Sequence, residues 1–548
     1  MGTLQKAYIN GNIYTCDKDN PKAEAVGVID GKFAYVGSNE GIKGLITDET
    51  EVVDLDGQFV IAGITDAHCH VYGATLSSML LADLTPGENV EDYIQIIKDY
   101  VAAHPDDADY RGRGWLNGYF PNLCPTADIL DAISPDKPVS IRSIDGHSLW
   151  VNTCLLKLAG ITADTPDPDG GKIEHYPNGE PNGCLRDTAM PLAQKALSDY
   201  SVDQYKRVVM GAQELYASLG YTSYYEAMIN ENYKVNLHKA YKELSDEGKL
   251  LLHTYSTYNI MPGEDSLDKV DVAKQWHDDT TEGMYQLTDV KLFIDGVVEG
   301  GTVLLKQPYA TDPNYYGTAR WPGEENEKLL AAVVEKSNRL GLPTHFHAIG
   351  DGACFKAVNA IEAAQKATGD YSLRNAITHL QVVDPEEIRR MADQKIIAVF
   401  NPWCNKAKGY FEEVEVYYLG RERAENEYPV KSFLDAGVKC SFGTDFPMSP
   451  LCYPFESMEV FVTRMSEGDE ATLLKPSERI DIETIIDIMT NGTAYQFHKE
   501  ATSGSITVGK DADMVVLSQN LLEIPSTEIR KTVPLKTIVN GKIVYEKQ

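Results

Sequence analysis

Between residues 59 and 442 the chain alternates apolar strand-like runs with helical patterns, and this alternation limits the fold more than any other feature. The runs are Phe59–His70, Tyr221–Glu226, Leu250–Tyr255, Asp289–Ile294, Pro343–His347, Ala376–His379, Ile396–Phe400 and Val438–Phe442. Helical periodicity over Cys354–Ala367, Pro385–Ala392 and Val430–Ala436 separates several of them. Eight strands joined by helical crossovers predict an α/β fold, a (β/α)₈ TIM barrel. A length of 548 residues leaves room for more than the barrel.

About 150 residues separate the first run from the second, against the handful of a usual connection. That stretch has its own helical patterns, Val90–Ala103 and Asp203–Leu219, and a turn cluster at Asp164–Gly171. It is expected to be an inserted subdomain, residues 75–215, at the active-site mouth of a barrel spanning 59–499. The two ends of the chain differ from the middle. Turns at Asn10-Gly11, Asp30-Gly31 and Asn540-Gly541 flanked by apolar residues are hairpin signals. Residues 1–58 and 500–548 are therefore expected to form one small composite β-sandwich domain.

Composition narrows the function classes. A net charge of −32 repels phosphate backbones, which argues against a nucleic-acid partner. No stretch reaches the ~18–20 apolar residues of a membrane span, and the N-terminus lacks the apolar core of a signal peptide. Nine scattered cysteines without a Cys-x-x-Cys pair suit a reduced, cytoplasmic protein.

Strand C-termini carry the chemistry. The first run ends in His68-Cys69-His70, and alternation puts both imidazoles on one face and Cys69 on the other. The fourth carries Lys291 among apolar neighbours, the fifth His345 and His347, and the sixth ends at His379. The eighth leads to Asp445, and Glu226 ends the second. Several strands thus deliver imidazole or carboxylate to one end of one barrel, the pattern of a metal centre. No Gly-x-Ser-x-Gly elbow and no Gly-x-Gly-x-x-Gly loop offers a competing chemistry.

Taken in order, Gly63-Ile64-Thr65-Asp66-Ala67-His68-Cys69-His70, Gly112-Arg113-Gly114-Trp115, Asp145-Gly146-His147-Ser148-Leu149-Trp150-Val151-Asn152, Lys291-Leu292-Phe293-Ile294-Asp295-Gly296, His347-Ala348-Ile349-Gly350-Asp351 and Gly443-Thr444-Asp445-Phe446-Pro447 resemble the amidohydrolase superfamily, branch amidohydrolase family 3, which includes N-substituted formamide deformylase-like enzymes. The tail Gly504–Asp513 resembles that superfamily's return into its β domain.

The resemblance implies that His68 and His70 bind the more buried metal. It implies a carboxylated Lys291 bridging two metals, with His347 and His379 on the second. Asp445 is implied both as ligand of the first metal and as general base. Two divalent ions sharing a water would make it a hydroxide at neutral pH. His345 is a competing ligand or a support for one. Glu226 is a competing bridging carboxylate, where the branch usually has Asp; if it bridges, Lys291 is unmodified. Trp115, His147 and Arg186 are expected to contact substrate, with core packing the competing role for Trp115.

The expected protein is a hydrolase of a non-peptide C–N bond in a small molecule, using one or two divalent ions, zinc first among them. The resemblance also implies a homodimer. Ester, lactone or cyclic-amide hydrolysis, a lyase or isomerase reaction, and a metal-bound protein without turnover are the alternatives.

Overall fold

A computed structural model describes residues 3–229, 235–402, 409–449, 452–465 and 474–548. The chain divides into two compact units, Met1–Val71 with Met210–Gln548, and Tyr72–Val209.

The first unit contains an eight-stranded parallel sheet whose strands are neighbours in chain order. They are β1 (Ile64–Cys69), β2 (Tyr221–Ile229), β3 (His253–Ile260), β4 (Tyr285–Phe293), β5 (Thr344–Ala348), β6 (Ala376–His379), β7 (Ile397–Phe400) and β8 (Cys440–Phe442). β1, β6, β7 and β8 are buried at every position, as strands covered on both faces must be. The ends of the order approach each other. The Asp445 N–H donates to the His68 carbonyl and the His70 N–H to the Phe446 carbonyl, both at 2.7 Å. These bonds join the two edges at the strand C-termini, so the sheet is a nearly closed barrel.

The crossover helices have local causes. Asp351–Thr368 begins with an acid in its first turn, which suits the positive end of the helix dipole. It stops at Gly369, whose φ of +72° a residue with a Cβ tolerates poorly. Pro385–Asp393 starts on a proline, with Glu386 and Glu387 in the first turn and Arg390 in the last.

Two further sheets lie outside the barrel, the first built from the N-terminal segment alone and the second from both ends of the chain. One has the order Lys32–Gly37, Ala25–Ile29, Lys6–Ile9, Glu51–Asp54; the other runs Lys542–Glu546, Pro534–Val539, Met514–Leu517, Phe59–Ala62, Asn12–Tyr14, Lys22–Ala23. Two of the three expected hairpins form. Asp30 and Gly31 (φ +50° and +75°) turn Ala25–Ile29 into Lys32–Gly37. Asn540 and Gly541 (φ +49° and +69°) do the same for the last two strands. The third does not form: Asn10-Gly11 passes the chain from one sheet to the other.

The expected strand Phe59–His70 also needs correction. Phe59–Ala62 pairs antiparallel with Met514–Leu517 in the terminal sheet, and only Ile64–Cys69 enters the barrel. Gly63 is the switch. Its N–H donates to the Asp513 carbonyl, and a Cβ there would lie 2.3 Å from Thr222 Oγ1.

The Tyr72–Val209 unit has a six-stranded mixed sheet of order Gly171–His175, Pro181–Asp187, Ser148–Val151, Val139–Ser143, Tyr110–Trp115, Ala82–Asp83. One face packs Trp115, Trp150, Phe120, Leu130, Val139 and Ile141 into a core.

Candidate metal centre

β1 delivers His68 and His70 to the C-terminal end of the barrel, and Cys69 turns away, its Sγ 3.4 Å from the Tyr225 carbonyl. The loop after β8 delivers Asp445, whose φ of +59° turns the backbone back over β1. His379 closes β6, also with a positive φ, +79°. Such backbone costs about 1–3 kcal/mol per residue and persists where surrounding contacts fix it. At Asp445 they do, through the two seam hydrogen bonds and Asp66; after His379 the Leu380 N–H donates to the Ala348 carbonyl at 3.0 Å. The Asp66 carboxylate accepts the N–H groups of His68 (3.1 Å) and Thr444 (3.0 Å), the Thr444 hydroxyl (2.5 Å) and the Tyr216 hydroxyl (3.0 Å).

His68, His379 and Asp445 converge, each offering a ligating atom within 4.8 Å of the others. One oxygen, Asp445 Oδ1, lies 3.4 Å from both His68 Nε2 and His70 Nε2. The rings of His347 and His379 are 4.4 Å apart at their centroids. The remaining ring nitrogens are turned outward. His68 Nδ1 meets His345 Nε2 at 2.9 Å, and His379 Nδ1 meets Asn401 Oδ1 at 2.8 Å. His347 Nδ1 lies 3.2 Å from Asp295 Oδ1, and His70 Nδ1 lies 3.8 Å from Glu226 Oε1. A metal-binding histidine characteristically uses one nitrogen inward and hydrogen-bonds the other, as His68 and His379 do; the contacts of His347 and His70 are charge contacts without a hydrogen bond.

Electrostatics point the same way. Burial, with Lys291 nearby, pushes His68 and His345 well below the ordinary imidazole value and His347 down to about 3. Burial, with His347 beside it, does the same to His379. Their nitrogens are therefore uncharged and hold lone pairs. Burial alone would raise Asp445, but the hydrogen bond from His70, with the His379 ring and the Lys291 amine nearby, outweighs it and holds the carboxyl below its ordinary value. Lys291 is fully buried, and its Nζ has no hydrogen-bond partner among the described residues. Burial lowers it to about 7 against the pull of Asp445 and Asp289. Neutral imidazoles, an ionised carboxylate and an unsatisfied buried amine form a donor set that fits a divalent cation.

The residues expected to touch substrate lie in the other unit. Trp115 is fully buried in its core. The indole N–H donates to the Ile141 carbonyl at 2.9 Å, and the ring packs against Phe120 and Trp150. Packing and a satisfied N–H account for this side chain. His147 is exposed, with Nδ1 2.8 Å from Asp187 Oδ1. Arg186 donates to Glu174 at 2.8 Å and to the Leu123 carbonyl at 3.0 Å.

A family model described as the amidohydrolase family matches residues 51–545. The chain belongs to the amidohydrolase family. This amidohydrolase is 30% identical to YtcJ of Bacillus subtilis over 99% of its own length and 100% of the relative's. It is 26% identical to the N-substituted formamide deformylase of Arthrobacter pascens, with 98% of each chain covered. Among solved structures, an uncharacterized metal-dependent hydrolase of Pyrococcus horikoshii superposes with a TM-score of 0.77 at 25% identity. That match covers 95% of this chain and 99% of the other. The family is one of metal-dependent hydrolases. Among the described residues, no helix of this amidohydrolase is long and apolar enough to cross a membrane.

Three residues around the site are not expected from the sequence: Asn401, behind His379, Asp295, beside His347, and Asp66, which ties β1 to the loop after β8. Asn401 follows β7 directly, and a polar residue at the C-terminal end of a barrel strand was the available signal.

Proposed function

We propose that this amidohydrolase cleaves a non-peptide C–N bond of a small molecule, with Asp445 as general base. The convergence of His68, His379 and Asp445 at the C-terminal end of the barrel carries the reading. His68, His70, His347 and His379 would hold one or two divalent ions with Asp445. Imidazoles with one carboxylate suit zinc. Bound there, a divalent ion supplies Lewis acidity for the substrate carbonyl and a more acidic water.

The chain's own residues do the rest. Asp445, ionised and 6% exposed, accepts a proton from the attacking water as its oxygen bonds to the carbonyl carbon. The C–N bond then breaks, and the same carboxyl returns the proton to the departing nitrogen, giving a carboxylic acid and an amine. His345 and Asn401 hold the His68 and His379 rings from behind and fix which nitrogen faces inward. Lys291, buried and with no hydrogen-bond partner for its Nζ among the described residues, is the residue whose amine would add to the carbon of carbon dioxide with loss of a proton, giving a carbamate that could bridge two ions. Glu226, 3.8 Å from His70, supports that ring or bridges in its place.

The resemblance to a formamide deformylase puts N-substituted formamides first in a substrate panel. Purified protein with its metal content measured is assayed against N-substituted formamides, other small amides, cyclic amides, esters and lactones. Turnover of amides with a stoichiometric divalent metal, lost in Asp445→Asn, is expected. Metal-loaded protein that hydrolyses only esters or lactones, or Asp445→Asn protein with undiminished amide turnover, would overturn the reading.

A further inference from the structure

The Gly112-Arg113-Gly114-Trp115 segment supplies no candidate ligand of the metal centre, and Trp115 packs in the core of its own unit. Arg113 is not. The strands Tyr110–Trp115 and Val139–Ser143 run parallel, with Arg111 beside Ser140 and Arg113 beside Arg142. Tyr110, Val139 and Ile141 face the core of the Tyr72–Val209 unit. By alternation Arg111, Arg113, Ser140 and Arg142 share the opposite face. All four line one cavity of about 530 Å³, to which Ser77, Leu81, Gln194 and Leu197 also contribute. Every one of these residues belongs to that unit.

The charges on this floor are unevenly compensated. Arg111 donates twice to Asp109, at 2.6 and 3.0 Å, and lies 4.4 Å from the Tyr200 ring centroid. Among the described residues Arg113 pairs with Asp83 alone, at 3.4 Å, and the other oxygen of that carboxylate is engaged by Thr85. Arg142 is exposed and forms no ion pair among the described residues. Two guanidinium groups on neighbouring strands, about 4.8 Å apart at the backbone, repel each other. The chain as a whole carries −32, so a basic composition does not explain them. The register also holds them side by side: a bulge follows Arg113, where Gly114 has a φ of +98°. Two adjacent forks opening into one cavity form a frame that accepts an oxyanion from both sides, with the Ser140 hydroxyl on the same face.

We propose that Arg113 and Arg142 form an anion site for a small molecule bearing a carboxylate or phosphate group. The full chain is titrated calorimetrically at low ionic strength with inorganic phosphate and, separately, with succinate. Saturable binding of one or both is expected, and the arm that binds distinguishes the two sources. Arg113→Gln and Arg142→Gln should each weaken it about tenfold or more. Without anion, neither variant should unfold below the wild-type temperature, because each relieves the repulsion. If a Gln variant fails to fold, Arg142→Lys takes its place. It keeps the charge but loses the fork, and the same weakening is expected. No binding of either anion, or binding unchanged in the variants, would overturn the proposal.

Discussion

Asn401 offers the sharpest test of the metal centre, because its side-chain oxygen holds the His379 ring from behind. Its Oδ1 lies 2.8 Å from His379 Nδ1, and its Nδ2 donates to the Gly443 carbonyl at 2.7 Å. Both Asn401 and His379 are buried, and His379 is held neutral. A neutral imidazole carries one proton. With the acceptor in place the proton stays on Nδ1, and Nε2 turns a lone pair inward. Asn401→Ala removes the acceptor. Either a buried N–H is stranded, at about 1–3 kcal/mol, or the proton moves to Nε2 and the ligand lone pair is lost. Each route weakens metal binding by about 10–100-fold. Asn401→Asp separates this from the bond to Gly443, since it keeps the acceptor and loses the donor. Metal affinity measured by competition with a chelating dye should fall in the Ala variant and stay near wild type in the Asp variant. Equal loss in both, or an Ala variant within about twofold of wild type, would refute the tautomer argument.

Other perturbations follow from single contacts. In Gly443→Ala the new Cβ would lie 2.4 Å from His68 Cβ and 2.7 Å from its backbone nitrogen, which cannot yield without moving β1. A stability loss of about 1–3 kcal/mol or more, together with reduced metal content, is expected by denaturant titration and metal analysis. Trp115→Ala should cost about 3–5 kcal/mol as a core cavity; a raised KM at unchanged stability would instead support a substrate role for Trp115. His238 stacks on Trp276 at 4.0 Å, with Nδ1 2.9 Å from the Tyr285 hydroxyl, and burial lowers it to about 4. The unfolded chain takes up that proton near pH ~6.5 and the folded one only near 4. Its contribution to stability is therefore present above ~6.5 and lost as the pH falls towards 4, by up to about 3 kcal/mol. His238→Gln should flatten the stability–pH curve in that window, and an unchanged slope would rule His238 out as its cause.

How far the sequence reached depended on whether a feature was local. The strands from β5 to β8 fall within a residue or two of their expected places, since short apolar runs ending in polar groups are local signals. β3 was misplaced, His253–Ile260 instead of Leu250–Tyr255, because the apolar Leu250-Leu251-Leu252 precedes the strand rather than opening it. The break at Gly63 was hidden for the same reason: Phe59–Ala62 and Ile64–Cys69 are both buried throughout, so one apolar run served two sheets. Asp66 and Thr444 are 378 residues apart, and no pattern in either segment foretells their bond.

His345 and His347 show what alternation leaves open. Residues i and i+2 share a face but differ by about 6.6 Å along the strand. Register puts His345 level with Lys291 and His347 level with Phe293, one step nearer the strand C-termini. The deeper histidine therefore meets the back of the His68 ring, while the shallower one lies beside His379. Which of two histidines on one face supports the site and which faces it is decided by depth, and depth comes from how neighbouring strands are staggered rather than from either strand's own sequence.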